Sequence, residues 1–370
     1  MPTPPSGARR PPRVELMSSI ESVFKDDAAG LADCVRPIIE PGPQELTANS
    51  TPLATRGIHS VLGPPREPKY HPLSCSRGRE VATAWVPRPS DVMITTFPKT
   101  GTTWLQQICQ QLRNGGNGMD FMEITQVMPW PEFAYECGQD LEEDASESNL
   151  RLFKTHLPLS SVHRGGRHVC IARDPAKTLL SWYAFEFGKK APEVHAYSTV
   201  DSYANESDHF FSGRGIFGTS CFVFYSELMN CRHLPNVLVL AYELMLEDPK
   251  AHAAAIARFL GVDADDALLT KVVELSSRDY MLANVRCFDD SWIAQQQAAL
   301  GRAANVMNPS PKVTDGAHQK KDLEPETMTR IQETWTRDVT PTTGLRDYKA
   351  LIEVLRSEGL PDRSPSDVSA

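Results

Sequence analysis

A lysine, a glycine and neighbouring threonines form one compact group in the segment TFPKTGTTW, which spans residues 96–104. Gly101 has no Cβ, so the backbone there can come close to a bound phosphate, and Lys99 adds a positive charge. The hydroxyl groups of Thr102 and Thr103 add hydrogen-bond donors, and a helix starting here would add N–H groups and the positive end of its dipole. The segment predicts a phosphate site. The alternative is a glycine turn beside a surface lysine.

A second group of ionisable residues lies in LFKTHLP, residues 152–158. Side chains two residues apart share one face of an extended strand, so Lys154 and His156 can point at the same ligand. An imidazole with an ordinary pKa of about 6.5 is neutral near pH 7 and can act as a general base. The alternative for His156 is a histidine with a structural role in the core or at the surface.

A third group lies in RDPAKTLLS, residues 173–181. Arginine suits bidentate recognition of a phosphate, and Ser181 follows Arg173 about two helical turns later. The alternative for Arg173 is an ion pair with the neighbouring Asp174.

Alternating strand and helix patterns place these three groups at the ends of strands. The predicted strands are short apolar or β-branched runs at residues 92–97, 151–155, 168–172 and 236–242. The predicted helices cover residues 104–113, 175–187, 249–260, 265–275, 325–338 and 345–358. Buried strands that alternate with helices indicate an α/β fold with a central, mostly parallel sheet flanked by helices. Ligands of such sheets bind at the carboxyl ends of the strands, where these groups lie.

Composition limits the classes of protein to consider. The chain has 370 residues, of which 41% are hydrophobic and 23% charged, with a net charge of −9. Bulk disorder is excluded, and no apolar run reaches the roughly 18 residues that a membrane span needs. The acidic balance disfavours nucleic acid or an anionic membrane as a partner. The eight cysteines show no CxxC pair or zinc spacing, so we expect reduced thiols, no metal and a cytoplasmic location.

Proline content divides the chain into three parts. Thirteen of the 29 prolines fall in the first 72 residues, so we expect residues 1–80 to form a partly disordered extension without continuous secondary structure. One short helix could form at Val14–Phe24, and no apolar leader pattern is present. Residues 81–360 form the predicted catalytic domain, and residues 361–370 a flexible tail.

Together, TFPKTGTTW, LFKTHLP and IARDPAKTLLSWYAF resemble three motifs of the cytosolic sulfotransferase family, in the same order. The resemblance covers more than half of the chain. It implies a P-loop-like, three-layer fold that binds 3′-phosphoadenosine 5′-phosphosulfate (PAPS). It also implies transfer of the sulfuryl group to a hydroxyl or amine of a small-molecule acceptor, with no requirement for a metal.

The resemblance also implies roles for individual residues. Lys99, Thr102 and Thr103 would bind the 5′-phosphosulfate, Trp104 would stack on adenine, and Arg173 and Ser181 would hold the 3′-phosphate. His156 would be the general base, with Lys99 and Lys154 as the cations of the transition state. Trp130 corresponds to an aromatic acceptor-pocket position, with Phe133 beside it. The implied nucleotide site comprises Lys99, Thr100, Gly101, Thr102, Thr103, Trp104, Arg173, Ser181, Tyr242, Ser276, Lys312 and Gly316.

The C-terminal segment departs from the family pattern. The family has a basic Arg-Lys-Gly there, whereas PKVTDG in this chain has Thr314 and Asp315 at the positions of the two cations. Lys312, Lys320 or Lys321 would have to substitute, or Arg173 would hold the 3′-phosphate mainly by itself. Arg278 replaces the phenylalanine that usually covers adenine.

Two alternatives to a sulfotransferase follow from these observations. One is a sulfotransferase-like protein that binds a nucleotide without turnover. The other is a nucleotide kinase, which is disfavoured because the Walker A pattern GxxxxGK[ST] is absent. The acceptor cannot be derived from the sequence, because the specificity loops are expected in the irregular connections 117–149 and 188–215. O- and N-sulfation both stay open, as does the oligomeric state.

Overall fold

Four β-strands form the centre of the protein. The computed structural model describes residues 57–143, 150–162, 165–188, 197–212, 217–303 and 305–364. The strands are β1 (Val92–Thr96), β2 (Leu152–Thr155), β3 (Arg167–Ala172) and β4 (Val237–Ala241). Every strand residue is buried, which explains the continuous apolar and β-branched runs in their sequences.

All three strand pairings are parallel, and the spatial order is β2-β1-β3-β4. From β1 the chain proceeds to β2 on one side, and it then crosses to β3 on the other side of β1. This reversal is a topological switch point, and open α/β sheets bind ligands beyond the carboxyl ends of the strands that flank such a point. The topology therefore indicates a ligand site at the carboxyl ends of β1 and β3.

Helices connect the strands and cover both faces of the sheet. Up to β4 they are α1 (Ile58–Leu62), α2 (Ser76–Ala84), α3 (Thr102–Arg113), α4 (Ile124–Val127), α5 (Pro131–Cys137), α6 (Pro175–Glu186), α7 (Val200–Glu206) and α8 (Cys221–Cys231). After β4 follow α9 (Tyr242–Glu247), α10 (Pro249–Leu260), α11 (Asp266–Leu275), α12 (Arg278–Ala283), α13 (Ser291–Leu300), α14 (Pro325–Asp338), α15 (Thr340–Thr343) and α16 (Tyr348–Glu358). Short 3₁₀ turns lie at Val285–Phe288 and Ala317–Lys320.

Two hydrophobic clusters make the fold a three-layer structure. On one face, Met93 and Phe153 of the sheet pack in a cluster with side chains of α6, α8, α14 and α16. On the other face, Val92 and Ile94 pack with side chains of α3, α10 and α11. Alternate residues of β1 thus serve opposite faces, as the period of a strand requires. The predicted α/β fold with a central parallel sheet is confirmed.

Local signals in the sequence account for the main helix boundaries. Asp174 accepts a hydrogen bond from the Ala176 amide and caps α6, with Pro175 at its first position. Asp248 and Pro249 begin α10 in the same way, and Gly261, in the left-handed conformation, ends it. The helix predicted at residues 325–338 has the same bounds in the structure.

The described part of the predicted N-terminal extension contains local structure. Residues 57–80 contain α1 and the start of α2, and Ile58 is buried in the core. The prolines leave proline-free windows in which helices can form. The Ser74 hydroxyl donates to the Glu132 carbonyl (2.6 Å) and ties α2 to α5. The helix predicted at Val14–Phe24 and the tail beyond residue 364 lie outside the described residues, and the domain boundary at residue 80 stays a prediction.

The two predicted irregular connections also contain helices in their described parts. Helices α4 and α5 lie within residues 117–149, and α7 lies within residues 188–215. A Thr199–Ser202 capping box begins α7. Across the described stretches, every helix is too short or too polar to cross a membrane.

Candidate functional site

Each of the four strands leads directly into a predicted site residue. Lys99 follows β1 by three residues, and His156, Arg173 and Tyr242 are the first residues after β2, β3 and β4. Because the strands are parallel, these four residues lie at one edge of the sheet. The Arg173 guanidinium donates from Nη1 to the Lys99 carbonyl at 3.0 Å, and this bond bridges the switch point between β1 and β3.

The turn after β1 has a backbone that few residues can adopt. Lys99 and Gly101 have φ angles of 69° and 115°. A Cβ added at Gly101 would lie 2.8 Å from Cδ2 of Tyr242, so this position requires glycine for two independent reasons. Gly101 is also the N-cap residue of α3, and no side chain caps this helix. The amides of the first turn of α3 therefore point towards the site.

The threonine hydroxyls of the turn differ in their surroundings. Thr100 donates to the Phe97 carbonyl at 2.7 Å, which stabilises the turn itself. Thr102 shares a 2.7 Å hydrogen bond with Thr96 at the end of β1. Thr103 is partly exposed, and no described residue hydrogen-bonds its hydroxyl. Thr103 is therefore the hydroxyl of this turn that is most available to a ligand.

Four cations converge beside this turn. Lys99 is close enough to Lys312, Arg173 and Lys154 for their charges to affect its ionisation, and Asp290 is the carboxylate among them. Burial and the charge of Lys312 lower the pKa of Lys99 to about 7. A buried excess of positive charge is costly without a counter-ion, so the cluster favours an anionic ligand.

Aromatic rings support the lysines of this cluster. The Lys99 and Lys312 ammonium groups both lie over the ring of Phe185, at 4.1 and 4.5 Å from its centroid. The Lys154 ammonium lies 3.9 Å from the centroid of Trp130. Burial lowers the pKa of Lys154, and the negative charge of Asp290 opposes this shift. These cation–π contacts help to keep the lysines in place without neutralising them.

His156 has one defined tautomer. Its Nδ1 lies 2.8 Å from the Thr96 carbonyl, and a carbonyl can only accept, so Nδ1 carries the proton and Nε2 has a lone pair. Burial and the nearby Lys154 charge lower its pKa well below 6.5, although the Thr96 bond opposes this. The imidazole is therefore neutral at physiological pH, with Nε2 able to accept a proton.

Aromatic residues pack around this imidazole. Trp130 and Phe217 lie 5.2 and 5.1 Å from the His156 ring, and Phe133 lies 4.8 Å from Trp130. Of the two residues predicted for the acceptor pocket, Trp130 thus contacts the predicted base and Phe133 contacts Trp130. A second histidine, His71, contacts the same rings.

Arg173 contacts the 3₁₀ turn Ala317–Lys320, which follows the segment PKVTDG. Its Nη2 donates to Gln319 Oε1 at 3.2 Å, and its guanidinium carbon lies 4.3 Å from the centroid of Tyr242. The neighbouring Asp174 carboxylate instead caps α6, so the alternative of an Arg173–Asp174 ion pair is not observed. Buried Nε of Arg173 has no hydrogen-bond partner among the described residues. One guanidinium donor is therefore available to a ligand.

The remaining predicted nucleotide-site residues lie in different surroundings. Trp104 packs edge-on against Tyr242, with the ring centroids 5.3 Å apart. The Ser276 hydroxyl donates to the Val272 carbonyl at 2.7 Å, so it stabilises the end of α11. Ser181 lies on α6, two turns from Arg173, and no described residue hydrogen-bonds its hydroxyl.

The substituted C-terminal segment lies beside another arginine. Arg278 donates from Nε to the Thr314 carbonyl at 3.3 Å, and a Cβ on Gly316 would lie 3.4 Å from Nη2 of Arg278. The Lys312 ammonium pairs instead with Asp290, beside Lys99. Of the three lysines considered as substitutes, Lys312 thus belongs to the cation cluster at the β1 turn, and Lys320 and Lys321 are exposed.

Several residues of this site had no motif in the sequence. Asp290, which is buried and has a positive φ of 61°, lies between a 3₁₀ turn and α13. The Lys312 and Lys154 charges hold its pKa below the ordinary value even though burial opposes this. Burial raises the pKa of Glu123 to about 8 and that of Glu132 to about 7. Long-range packing brings these residues together, so spacing along the chain could not reveal them.

A metal site is not part of this arrangement as far as the described residues extend. They contain no group of three or more His, Cys, Asp or Glu side chains able to hold a metal ion. The site defines a class of protein: a parallel α/β protein that presents a cluster of cations at the switch point of its sheet.

Comparison with known proteins identifies the family. The sequence profile described as "Sulfotransferase domain" matches residues 89–343 of the chain. The chain belongs to the sulfotransferase domain family, and the resemblance found from three motifs is confirmed at that level. Sulfuryl transfer is the class of reaction that this membership supports.

Individual relatives agree with this assignment. Sulfotransferase 1A1 of Rattus norvegicus is 30% identical over 214 residues, which cover 55% of this chain and 69% of the relative. Sulfotransferase 4A1 of Mus musculus is 31% identical over 194 residues, or 50% of this chain and 65% of the relative. The chain thus aligns with about two thirds of these relatives.

A solved structure with the same fold is that of mouse sulfotransferase SULT7A1 complexed with PAP. The two structures superpose with a TM-score of 0.55 at 18% identity, and the alignment covers 76% of this chain and 95% of the mouse protein. This similarity supports the fold.

Proposed function

We propose that this protein transfers the sulfuryl group of PAPS to a hydroxyl or amine of a small-molecule acceptor, with His156 as the general base. The observation that carries the proposal is the convergence of Lys99, Lys154 and Arg173 with a neutral imidazole whose Nε2 is free of a proton. Crystallisation of a related sulfotransferase with PAP supports this choice of nucleotide.

The residues at the site fit a nucleotide with two phosphate groups. The amides at the start of α3 and the Lys99 ammonium suit the 5′-phosphosulfate, with Thr103 as an added donor. The buried, unpartnered Nε of Arg173 suits a second phosphate, and Arg278, which donates to the Thr314 carbonyl, adds a further cation. The edge-on pair of Trp104 and Tyr242 offers aromatic surface to a base.

The proton of the acceptor has a defined destination. When bound, PAPS supplies a sulfuryl group activated by its bond to phosphate. His156 accepts the acceptor proton at Nε2, and the bond from Nδ1 to the Thr96 carbonyl keeps the ring in the required tautomer. The same carbonyl stabilises the imidazolium that results.

The cations have a separate task. Negative charge develops on the bridging phosphate oxygen as its bond to sulfur breaks. Lys99 and Lys154 are held beside Phe185 and Trp130, and their charges interact more strongly with this developing charge than with the ground state. Their low-dielectric surroundings strengthen the interaction.

Radiolabelled sulfate transfer to a panel of phenols, alcohols and amines tests this proposal. We expect transfer by the wild type and a loss of about 10²–10⁴-fold in His156→Ala, the usual contribution of a general base. Adenosine 3′,5′-bisphosphate should still raise the melting temperature of this variant, because it binds the native state. His233→Ala is the matched control, since His233 is half exposed and lies outside the cluster.

Three other results would contradict the proposal in different ways. Full transfer by His156→Ala would exclude His156 as the base. Stabilisation by the bisphosphate without transfer to any acceptor would indicate a nucleotide-binding protein that lacks turnover. Stabilisation by ATP without a response to the bisphosphate would indicate a kinase.

A further inference from the structure

His71 lies in the aromatic surroundings of the proposed base, although nothing in its local sequence indicated a role. Its ring centroid is 5.9 Å from Trp130, 5.4 Å from Phe133 and 5.6 Å from Phe217. Trp130 and Phe217 are also the two rings that contact His156. The two imidazoles therefore border the same aromatic pair.

The proton of His71 can be assigned from its hydrogen bonds. Nδ1 accepts from the Leu73 amide at 3.1 Å, so the proton of the neutral ring is on Nε2. The backbone amide of His71 donates to Glu132 Oε2 at 2.9 Å and fixes this part of the chain on α5. No described residue accepts a hydrogen bond from Nε2–H, so this donor is available.

The two histidines have opposite tautomers. His156 carries its proton on Nδ1 and can accept at Nε2, whereas His71 can donate at Nε2. His71 is close enough to His156 for its charge to lower the pKa of the His156 ring. Burial and the charge of Lys154 lower the pKa of His71 to about 4. Asp290 opposes this shift, while Lys312 and Arg79 add to it, so the ring is neutral at pH 7.

We propose that His71 is an acceptor-positioning residue that donates from Nε2–H to the nucleophilic oxygen of a hydroxyl acceptor, opposite His156. The inference rests on the proposed sulfuryl transfer and adds to it a second contact to the nucleophile. It also chooses between the two acceptor chemistries that the sequence left open.

The choice follows from the lone pairs of the nucleophile. A hydroxyl oxygen has two lone pairs, so one accepts from His71 and the other attacks sulfur while the O–H proton passes to His156 Nε2. The new O–S bond forms, the bond between sulfur and the phosphate oxygen breaks, and its electron pair stays on that phosphate oxygen. A neutral amine has a single lone pair, and a hydrogen bond from His71 would occupy the pair that must attack. The geometry therefore favours hydroxyl over amine acceptors.

Two substitutions separate the donor of His71 from its structural contacts. His71→Asn keeps an acceptor near the position of Nδ1 for the Leu73 amide, but places no donor at the position of Nε2. His71→Gln extends an amide donor to the position of Nε2. The melting temperature and its increase with adenosine 3′,5′-bisphosphate report folding and nucleotide binding in both variants.

The experiment compares sulfation of 2-naphthol and 2-naphthylamine by the wild type and both variants. We expect the wild type to favour the naphthol, and His71→Asn to lose about 10–100-fold in kcat/KM for the naphthol, the cost of one hydrogen bond to the reacting group. The kcat/KM for the naphthylamine should fall much less, so the ratio of kcat/KM for the naphthol to that for the naphthylamine decreases. His71→Gln should keep that ratio within about threefold of the wild type.

The possible failures are distinguishable. An unchanged naphthol kcat/KM in His71→Asn, or equal losses for both acceptors, would overturn the positioning role while leaving sulfuryl transfer intact. A wild type that sulfates the amine as fast as the naphthol would overturn the preference for hydroxyls. Absence of transfer by the wild type to either acceptor, and to the wider panel, would contradict the proposed function itself. If His71→Asn does not fold, His71→Gln still tests the proposal. A naphthol-to-naphthylamine ratio of kcat/KM that falls by more than about threefold in His71→Gln would contradict the role of the donor.

Discussion

Burial, with the charges of neighbouring groups, shifts the pKa values of the two central residues from the ordinary values of their side chains. Lys99 is buried among Lys312, Arg173 and Lys154, and its pKa is lowered to about 7. His156 is buried beside Lys154 and has a pKa well below 6.5. Without ligand, Lys99 is thus only partly charged at neutral pH, whereas His156 is a base that stays neutral.

Nucleotide binding should therefore take up a proton. The negative charge of adenosine 3′,5′-bisphosphate raises the pKa of Lys99 above its ligand-free value of about 7. At pH 8 the free lysine is mostly neutral and the bound lysine charged, so about one proton enters the complex. Affinity should fall as the pH rises above 7 and level off below it. Calorimetric titration at pH 8 in buffers of different ionisation enthalpy measures the uptake.

Lys99→Arg provides the control for this measurement, because arginine stays charged at every accessible pH. Its proton uptake should be about one lower than that of the wild type. Lys154→Met reports the part due to the second lysine, whose pKa is also lowered. Binding at pH 8 without proton uptake by the wild type would contradict the assigned ionisation of Lys99.

At the scale of elements, the turn between β1 and α3 determines how close a ligand can approach. Gly101 combines a φ of 115° with contact to Tyr242, the first residue of α9. The turn thus depends both on a backbone conformation that favours glycine and on close packing between two strand ends. A side chain here would push Tyr242 aside or displace the amides of α3.

Gly101→Ala should lower the free energy of unfolding by about 2 kcal/mol or more and abolish stabilisation by the bisphosphate. Gly301→Ala is the matched control: its φ is 59°, and an added Cβ would meet nothing within 4 Å. We expect it to cost about 1 kcal/mol and to leave nucleotide binding intact. Urea unfolding and thermal shifts measure both effects, and equal effects of the two substitutions would contradict the role of the Tyr242 contact.

At the scale of the whole molecule, the site residues and a stabilising ion pair lie at opposite ends of the strands. The site lies at the carboxyl ends of the sheet, whereas Asp91 and Arg151 immediately precede β1 and β2 at the opposite edge. Their side chains form a two-pronged ion pair, Nε to Oδ1 at 2.7 Å and Nη2 to Oδ2 at 2.5 Å, and both are buried. The amide of Arg167 also donates to the Asp91 carbonyl at 2.9 Å, which links β3 to the same point.

Asp91→Ala should lower the free energy of unfolding by about 3–5 kcal/mol, because it removes the two-pronged carboxylate partner of the buried Arg151 guanidinium. The protein that stays folded at low temperature should bind the bisphosphate with unchanged affinity, since the strands separate the two regions. The exposed pair Arg77–Glu80 provides the comparison, and Arg77→Ala should leave stability unchanged. A large loss of affinity in folded Asp91→Ala would contradict this separation.

Much of the fold was predictable because its signals are local. Asp174 and Pro175 start α6, Gly261 ends α10, and the buried strands appear as apolar runs. The prolines before residue 81 weaken the local signals of structure there, whereas Ile58 and Ser74 are held by contacts with distant residues.

The sequence by itself determined the family, the parallel sheet and the motif residues Lys99, Lys154, His156 and Arg173, because each of these signals is contained in a short run of chain. Tertiary structure alone decided what surrounds them. It brought Asp290 to the cations and His71 to the rings around His156, and it selected a proton position on each imidazole. Burial, electrostatic interaction and hydrogen bonding act through space, so the ionisation of the site depends on contacts that no local pattern records.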